Sequence, residues 1–102
     1  MAKYLLTYSG GGMPETEAEQ AELMAAWGAW FEGLGAAVID GGNPTGASKS
    51  VASDGSVSDG TAPLSGYSLL DAGSLDEAVE MAKRCPILGG GGSVYVSETI
   101  DM

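Results

Sequence analysis

Residues 3 to 9, KYLLTYS, alternate so that Tyr4, Leu6 and Tyr8 share one side of an extended chain while Lys3, Leu5 and Thr7 share the other. Both sides carry apolar groups, so a strand of this kind has to be covered from two directions. The segment is rich in aromatic and aliphatic residues and stops at Gly10-Gly11-Gly12, the pattern of a first β-strand. The rest of the chain has to supply the cover.

Only two stretches have helical periodicity. After Pro14, which suits a first helical turn, Glu15, Glu17, Glu19 and Glu22 crowd a helix start where negative charge is favoured. Leu23, Met24, Trp27, Trp30, Phe31 and Leu34 then recur at three- and four-residue spacing, predicting an amphipathic helix over about 15–33 that closes near Gly33 or Gly35. The second helix is announced by Ser74-Leu75-Asp76-Glu77, a capping box, and runs over about 75–84. Its apolar face is Leu75, Ala78, Val79 and Ala82, with Lys83 and Arg84 at its end and Pro86 beyond.

Between these helices, AAVID is an apolar run that predicts a second strand buried on both faces, and GYSLLDA, 66 to 72, is a further strand. Residues 41 to 65 are dominated by Gly, Ser, Asp and Pro and read as a loop with a hairpin arm around Asp54-Gly55, its strands near 48–52 and 56–59. SVYVSETI, after the glycines at 89 to 92, is the last strand. The order predicts an α+β fold of the ferredoxin-like split βαβ type, with an antiparallel sheet and both helices on one face. The other face is left bare. Tyr4, Leu5, Leu6, Tyr8, Leu69, Leu70, Tyr95 and Val96 put apolar side chains on both sides of the sheet, which predicts a homodimer packed face to face.

The chain has 102 residues, enough for one domain with one core. Its 14 acidic and 4 basic residues give a net charge of −10, which repels phosphate backbones and anionic membrane surfaces and speaks against a nucleic-acid partner. No run approaches the roughly 20 apolar residues of a membrane span, and MAKYLL is too short for a signal peptide. The single Cys85 rules out an internal disulfide and suits a reducing, cytoplasmic setting. Histidine is absent, which removes the usual neutral-pH acid/base and the commonest metal ligand.

KYLLTYSG at the start, MAAWGAWFEGLGAAVIDGGNPTGASKSV in the middle and GYSLLDAGSLDEAVEMAKRCPILGGGGSVYVSETIDM at the end together resemble the YCII-related family, which includes the DGPF-domain proteins. The resemblance implies a single domain over 1–102 that dimerises sheet to sheet as a dimeric α+β barrel, with a pocket between sheet and helix. The family's suspected chemistry rests on a His in the first helix and an Asp before the Pro that ends the second. Those places are taken here by Met24, or a close neighbour, and by Cys85. The DGPF motif survives only as Asp59-Gly60, followed by Thr61-Ala62.

Asp40, at the carboxyl end of the second strand beside two glycines, is the candidate catalytic acid/base. The alternative is that it accepts N–H bonds from the Gly41-Gly42-Asn43 turn. Lys49 in GASKS lacks the spacing of a phosphate-binding loop, which rejects a nucleotide cofactor and leaves either an anion-binding lysine or a solvated one. Trp27 and Trp30, with Tyr8 and Tyr67, either wall a small-molecule pocket or fill the core. Cys85 has no His to take its proton and reads as an inert packed thiol. Asp54 and Asp59 lack calcium-loop spacing, so no metal site is expected. Two functions stay open. One is a non-catalytic module binding a small molecule or a protein, favoured by the missing His and Asp. The other is a cofactor-independent isomerase or lyase acting on a small polar metabolite, with Asp40 as acid/base and Lys49 holding an anion.

Overall fold

A computed structural model describes residues 2–10, 14–59 and 64–100. Strand β1 (Ala2–Ser9) is followed by helix α1 (Glu17–Leu34), a 3-10 turn (Gly35–Ala37) and the short strand β2 (Val38–Asp40). Strands β3 (Lys49–Val51) and β4 (Val57–Asp59) form the arm. Then come β5 (Gly66–Ala72), α2 (Leu75–Ala82), a second 3-10 turn (Pro86–Gly90) and β6 (Ser93–Glu98). The main sheet has the order β2-β5-β1-β6 with every neighbour antiparallel, which is the split βαβ arrangement.

The helices start where local chemistry dictates. The Thr16 Oγ1 accepts from the Glu19 N–H at 3.1 Å, and the Ser74 Oγ accepts from the Glu77 N–H at 3.1 Å. The Glu77 carboxylate reaches back one residue further than a standard capping box, to the Gly73 N–H at 3.2 Å. Helix α2 is shorter than its sequence pattern, with Lys83 as its cap and Lys83 Nζ on Glu80 Oε1 at 2.8 Å.

Register decides which residues are core. Tyr4 lies opposite Leu70, Leu6 opposite Ser68 and Tyr8 opposite Gly66, and this face is buried under Trp30 of α1 and Ala78 and Ala82 of α2. The other face carries Leu5, 36% exposed, Tyr95, 59% exposed, and the half-buried Leu69. Strand β2 departs from expectation. Val38 is half-buried, while Ile39 and Asp40 are exposed. It lies at a sheet edge, bulged between Val38 and Asp40, and the alanines before it belong to the 3-10 turn, so its apolar run never receives two covers.

The arm forms as expected around Asp54-Gly55. The Asp54 Oδ1 accepts from the Ser56 N–H at 2.9 Å, and Gly55 takes a φ of +87°. It is a separate two-stranded sheet in which Val51 opposes Val57, 70% and 63% exposed. Of the DGPF remnant, Gly60, Thr61 and Ala62 lie outside the described residues, as do Gly11 and Gly12 of the first glycine run. Among the described residues no helix is long and apolar enough to cross a membrane.

Candidate ligand cavity

Helix α1 has an apolar stripe, yet only Trp30 on it is buried. Its backbone mainly approaches the two 3-10 turns rather than the strands, because indole and phenyl rings stand between helix and sheet. Trp30 fixes the spacing: its Nε1–H donates to the Met81 carbonyl at 3.0 Å, tying α1 to the end of α2. Trp27 packs edge-on against both Tyr8 and Trp30, with ring centroids 5.1 and 5.7 Å apart.

The gap that results is a cavity of about 530 Å³. Leu23, Met24, Trp27 and Phe31 of α1 form one wall and Tyr8 of β1 the floor; Gly41 to Pro44 and Ser65 to Tyr67 form the other side, and Pro14, Pro86, Ile87 and Gly90 complete the rim. That second side is locked by glycine. Gly42 has a φ of +78°, and a Cβ there would come within 1.6 Å of the Tyr67 carbonyl oxygen. The Tyr67 N–H in turn donates to the Asn43 carbonyl at 3.3 Å, and Pro44 bridges to Gly66.

Two polar features serve the cavity. The Tyr8 hydroxyl donates to Ser68 Oγ at 2.7 Å, and Ser68 Oγ donates to the Gly41 carbonyl at 2.7 Å, so the buried serine is satisfied and couples floor to loop. Burial pushes the Tyr8 phenol up to about 12, only partly offset by the bond to Ser68, so it stays neutral. At the rim, the Asn43 Nδ2 donates to the Tyr67 hydroxyl at 3.2 Å. Among the described residues, the lining includes no Asp, Glu, Lys or Arg.

Of the residues singled out by sequence, Tyr8, Trp27 and Tyr67 meet at the cavity, and Trp30 sits behind it in the core. Asp40 borders the loop wall without lining the cavity; its Oδ1 accepts from the Gly42 N–H at 2.8 Å, the turn-capping geometry. Lys49 is on the arm and is not among the described residues lining the cavity; it is exposed and 3.6 Å from Asp59 Oδ1. Strands β3 and β4 place the lysine opposite Asp59, its cross-strand partner. Cys85 is buried, its thiol pushed up to about 11 by desolvation. Asn43 and Phe31 were not distinguishable by sequence as site residues, since Asn43-Pro44 reads as a turn and Phe31 as helix core. Among the described residues no cluster of three metal-ligating side chains occurs.

No protein-family model matches the chain, and no curated protein matches it. Among solved structures, the chain is similar to 5-chloro-2-hydroxyhydroquinone dehydrochlorinase (TftG) from Burkholderia phenoliruptrix AC1100, in complex with 2,5-dihydroxybenzoquinone. The TM-score is 0.60 at 19% identity, covering 98% of this chain and 95% of that one. At that identity the likeness establishes the shared α+β fold and nothing about the reaction.

Proposed function

We propose that this protein is a divergent YCII-related domain that works in the cytoplasm as a homodimeric small-molecule-binding module without catalysis of its own. The cavity between α1 and the sheet carries this reading. Its volume lies within the usual range of small-ligand sites, and its walls are aromatic and apolar with few polar groups. Among the described residues the titratable lining groups are the two tyrosines, and Tyr8 titrates far above neutral pH, so its phenol is not an acid/base poised near pH 7. The bare sheet face with Leu5, Leu69 and Tyr95 supports pairing with a second copy. A library of small organic molecules titrated into isotope-labelled protein tests the binding reading. Saturable NMR shifts centred on Trp27, Phe31 and Tyr67 are expected; hits that cluster elsewhere, or a cavity unmoved by every compound, would contradict it.

A second reading, a cofactor-independent lyase with Asp40 as acid/base and Lys49 as anion holder, draws on the fold likeness to a dehydrochlorinase. It requires Asp40 to leave the Gly42 N–H and turn toward the cavity. Chloride release from 5-chloro-2-hydroxyhydroquinone tests it: the binding reading predicts the rate of a protein-free control. The lyase reading predicts a rate that Asp40→Asn lowers by at least ~10²-fold.

A further inference from the structure

Resting on the reading of the cavity as a ligand site, we propose that it takes an uncharged, flat ring compound bearing at least one hydroxyl, carbonyl or amide group, seated with such a group against Asn43 and Tyr67. Charge decides the first part. An ion entering this cavity would lose water and meet no countercharge, because among the described residues the lining holds neither a carboxylate nor a basic group. An anion would also approach against a net charge of −10 and the glutamates Glu17, Glu19 and Glu22 near the start of α1. A cation is drawn by the same field but finds no aromatic box. Trp27 lies with its centroid 5.1 Å from that of Tyr8 and 5.9 Å from that of Phe31, so these rings touch one another and leave no room for an ammonium group between them.

Shape decides the second part. The ring wall on α1 faces a loop wall in which Gly41, Gly42 and Gly66 offer bare backbone, and Gly42 cannot carry a side chain. A slot with rings on one side and peptide planes on the other suits a flat molecule. Orientation follows from the rim. The Asn43 to Tyr67 bond uses one N–H of the amide and one lone pair of the phenol, leaving the Asn43 Oδ1 as acceptor and the Tyr67 O–H as donor. These two groups give the rim a polar end; elsewhere in the lining the Tyr8 hydroxyl is engaged with Ser68 and the Ser65 hydroxyl is buried.

Three probes with the same hydroxyphenyl ring separate the possibilities: 4-hydroxybenzamide, neutral; 4-hydroxybenzoate, its anionic isostere; and tyramine, a cation. Each is titrated into the labelled full chain in slightly acidic buffer and followed at the Trp27 indole. The amide is expected to bind at least ~10-fold tighter than either ion, and Asn43→Ala to weaken it about 3- to 10-fold with the fold intact by its NMR spectrum. Binding of the benzoate or of tyramine as tight as that of the amide would overturn the charge assignment. An unchanged amide affinity in Asn43→Ala would overturn the orientation. If none of the three moves the Trp27 indole while other library compounds do, this inference fails alone; if no compound of any kind does, the ligand-site reading fails with it.

Discussion

At Gly42 the backbone passes so close to β5 that a methyl group has nowhere to go. Gly42→Ala is expected to cost more than about 2 kcal/mol, because the strained positive φ and the clash with the Tyr67 carbonyl act together. Denaturant unfolding checks it, and a loss under about 0.5 kcal/mol would show the loop to be looser than described. Two serines make a controlled pair. Ser68→Ala leaves the buried Tyr8 hydroxyl without its acceptor and should cost about 1–3 kcal/mol, whereas Ser65 Oγ is buried with no partner among the described residues, so Ser65→Ala should be neutral or stabilising. Equal effects in the two variants would contradict the hydrogen-bond assignment. Tyr8 and Cys85 also set an alkaline limit. Both are raised, from 10.0 to about 12 and from 9.0 to about 11, so the folded state holds these protons more tightly than the unfolded state does. Their contribution is complete below pH 9.0 and is lost as pH rises through about 11 and about 12. Stability followed by urea unfolding across this range should fall, and Cys85→Ala should remove the lower part of the fall; a flat profile would contradict both assignments.

The elements differ in how much of them could be read from their own residues. Ser74 and Glu77 announce α2 because capping is a local bond, and Ser74→Ala is expected to cost about 1 kcal/mol of stability by thermal or denaturant unfolding. Asp54-Gly55 likewise announces the arm through an Asx bond two residues long. The bare second sheet face is legible in the alternation of KYLLTYS and GYSLLDA, since register only has to preserve it. Burial of β2 is not legible, because an apolar run does not say whether it will sit in the middle of a sheet or at its edge. The cavity is half legible. Its aromatic wall follows from helical spacing, but the same pattern predicts a filled core, and what holds α1 off the sheet is the Trp30 bond to Met81, 51 residues away. The Asn43 to Tyr67 bond spans 24 residues and leaves no local trace. Asp40 beside two glycines carries the sequence signature of a turn and of an active site alike, and its bond to the Gly42 N–H is the turn's.

The whole molecule is flat, 43 × 39 × 18 Å, with a radius of gyration of 15.0 Å. A compact chain of this length has a radius of about 13 Å, and the larger value here goes with a flat body whose arm is a sheet of its own. In the proposed homodimer, a second copy would cover the apolar face that this flat body leaves open. Sedimentation at low micromolar concentration should report twice the 10.2 kDa chain mass, and a monomer that keeps Leu5 and Tyr95 in solvent would contradict the face-to-face pairing. A crystal structure grown with 4-hydroxybenzamide would show whether the space under α1 takes an uncharged ring. The ring is expected between Trp27 and Gly42 with its amide or hydroxyl group on Asn43 and Tyr67; the compound seated on the bare sheet face or on the arm, with the cavity holding water alone, would contradict that placement.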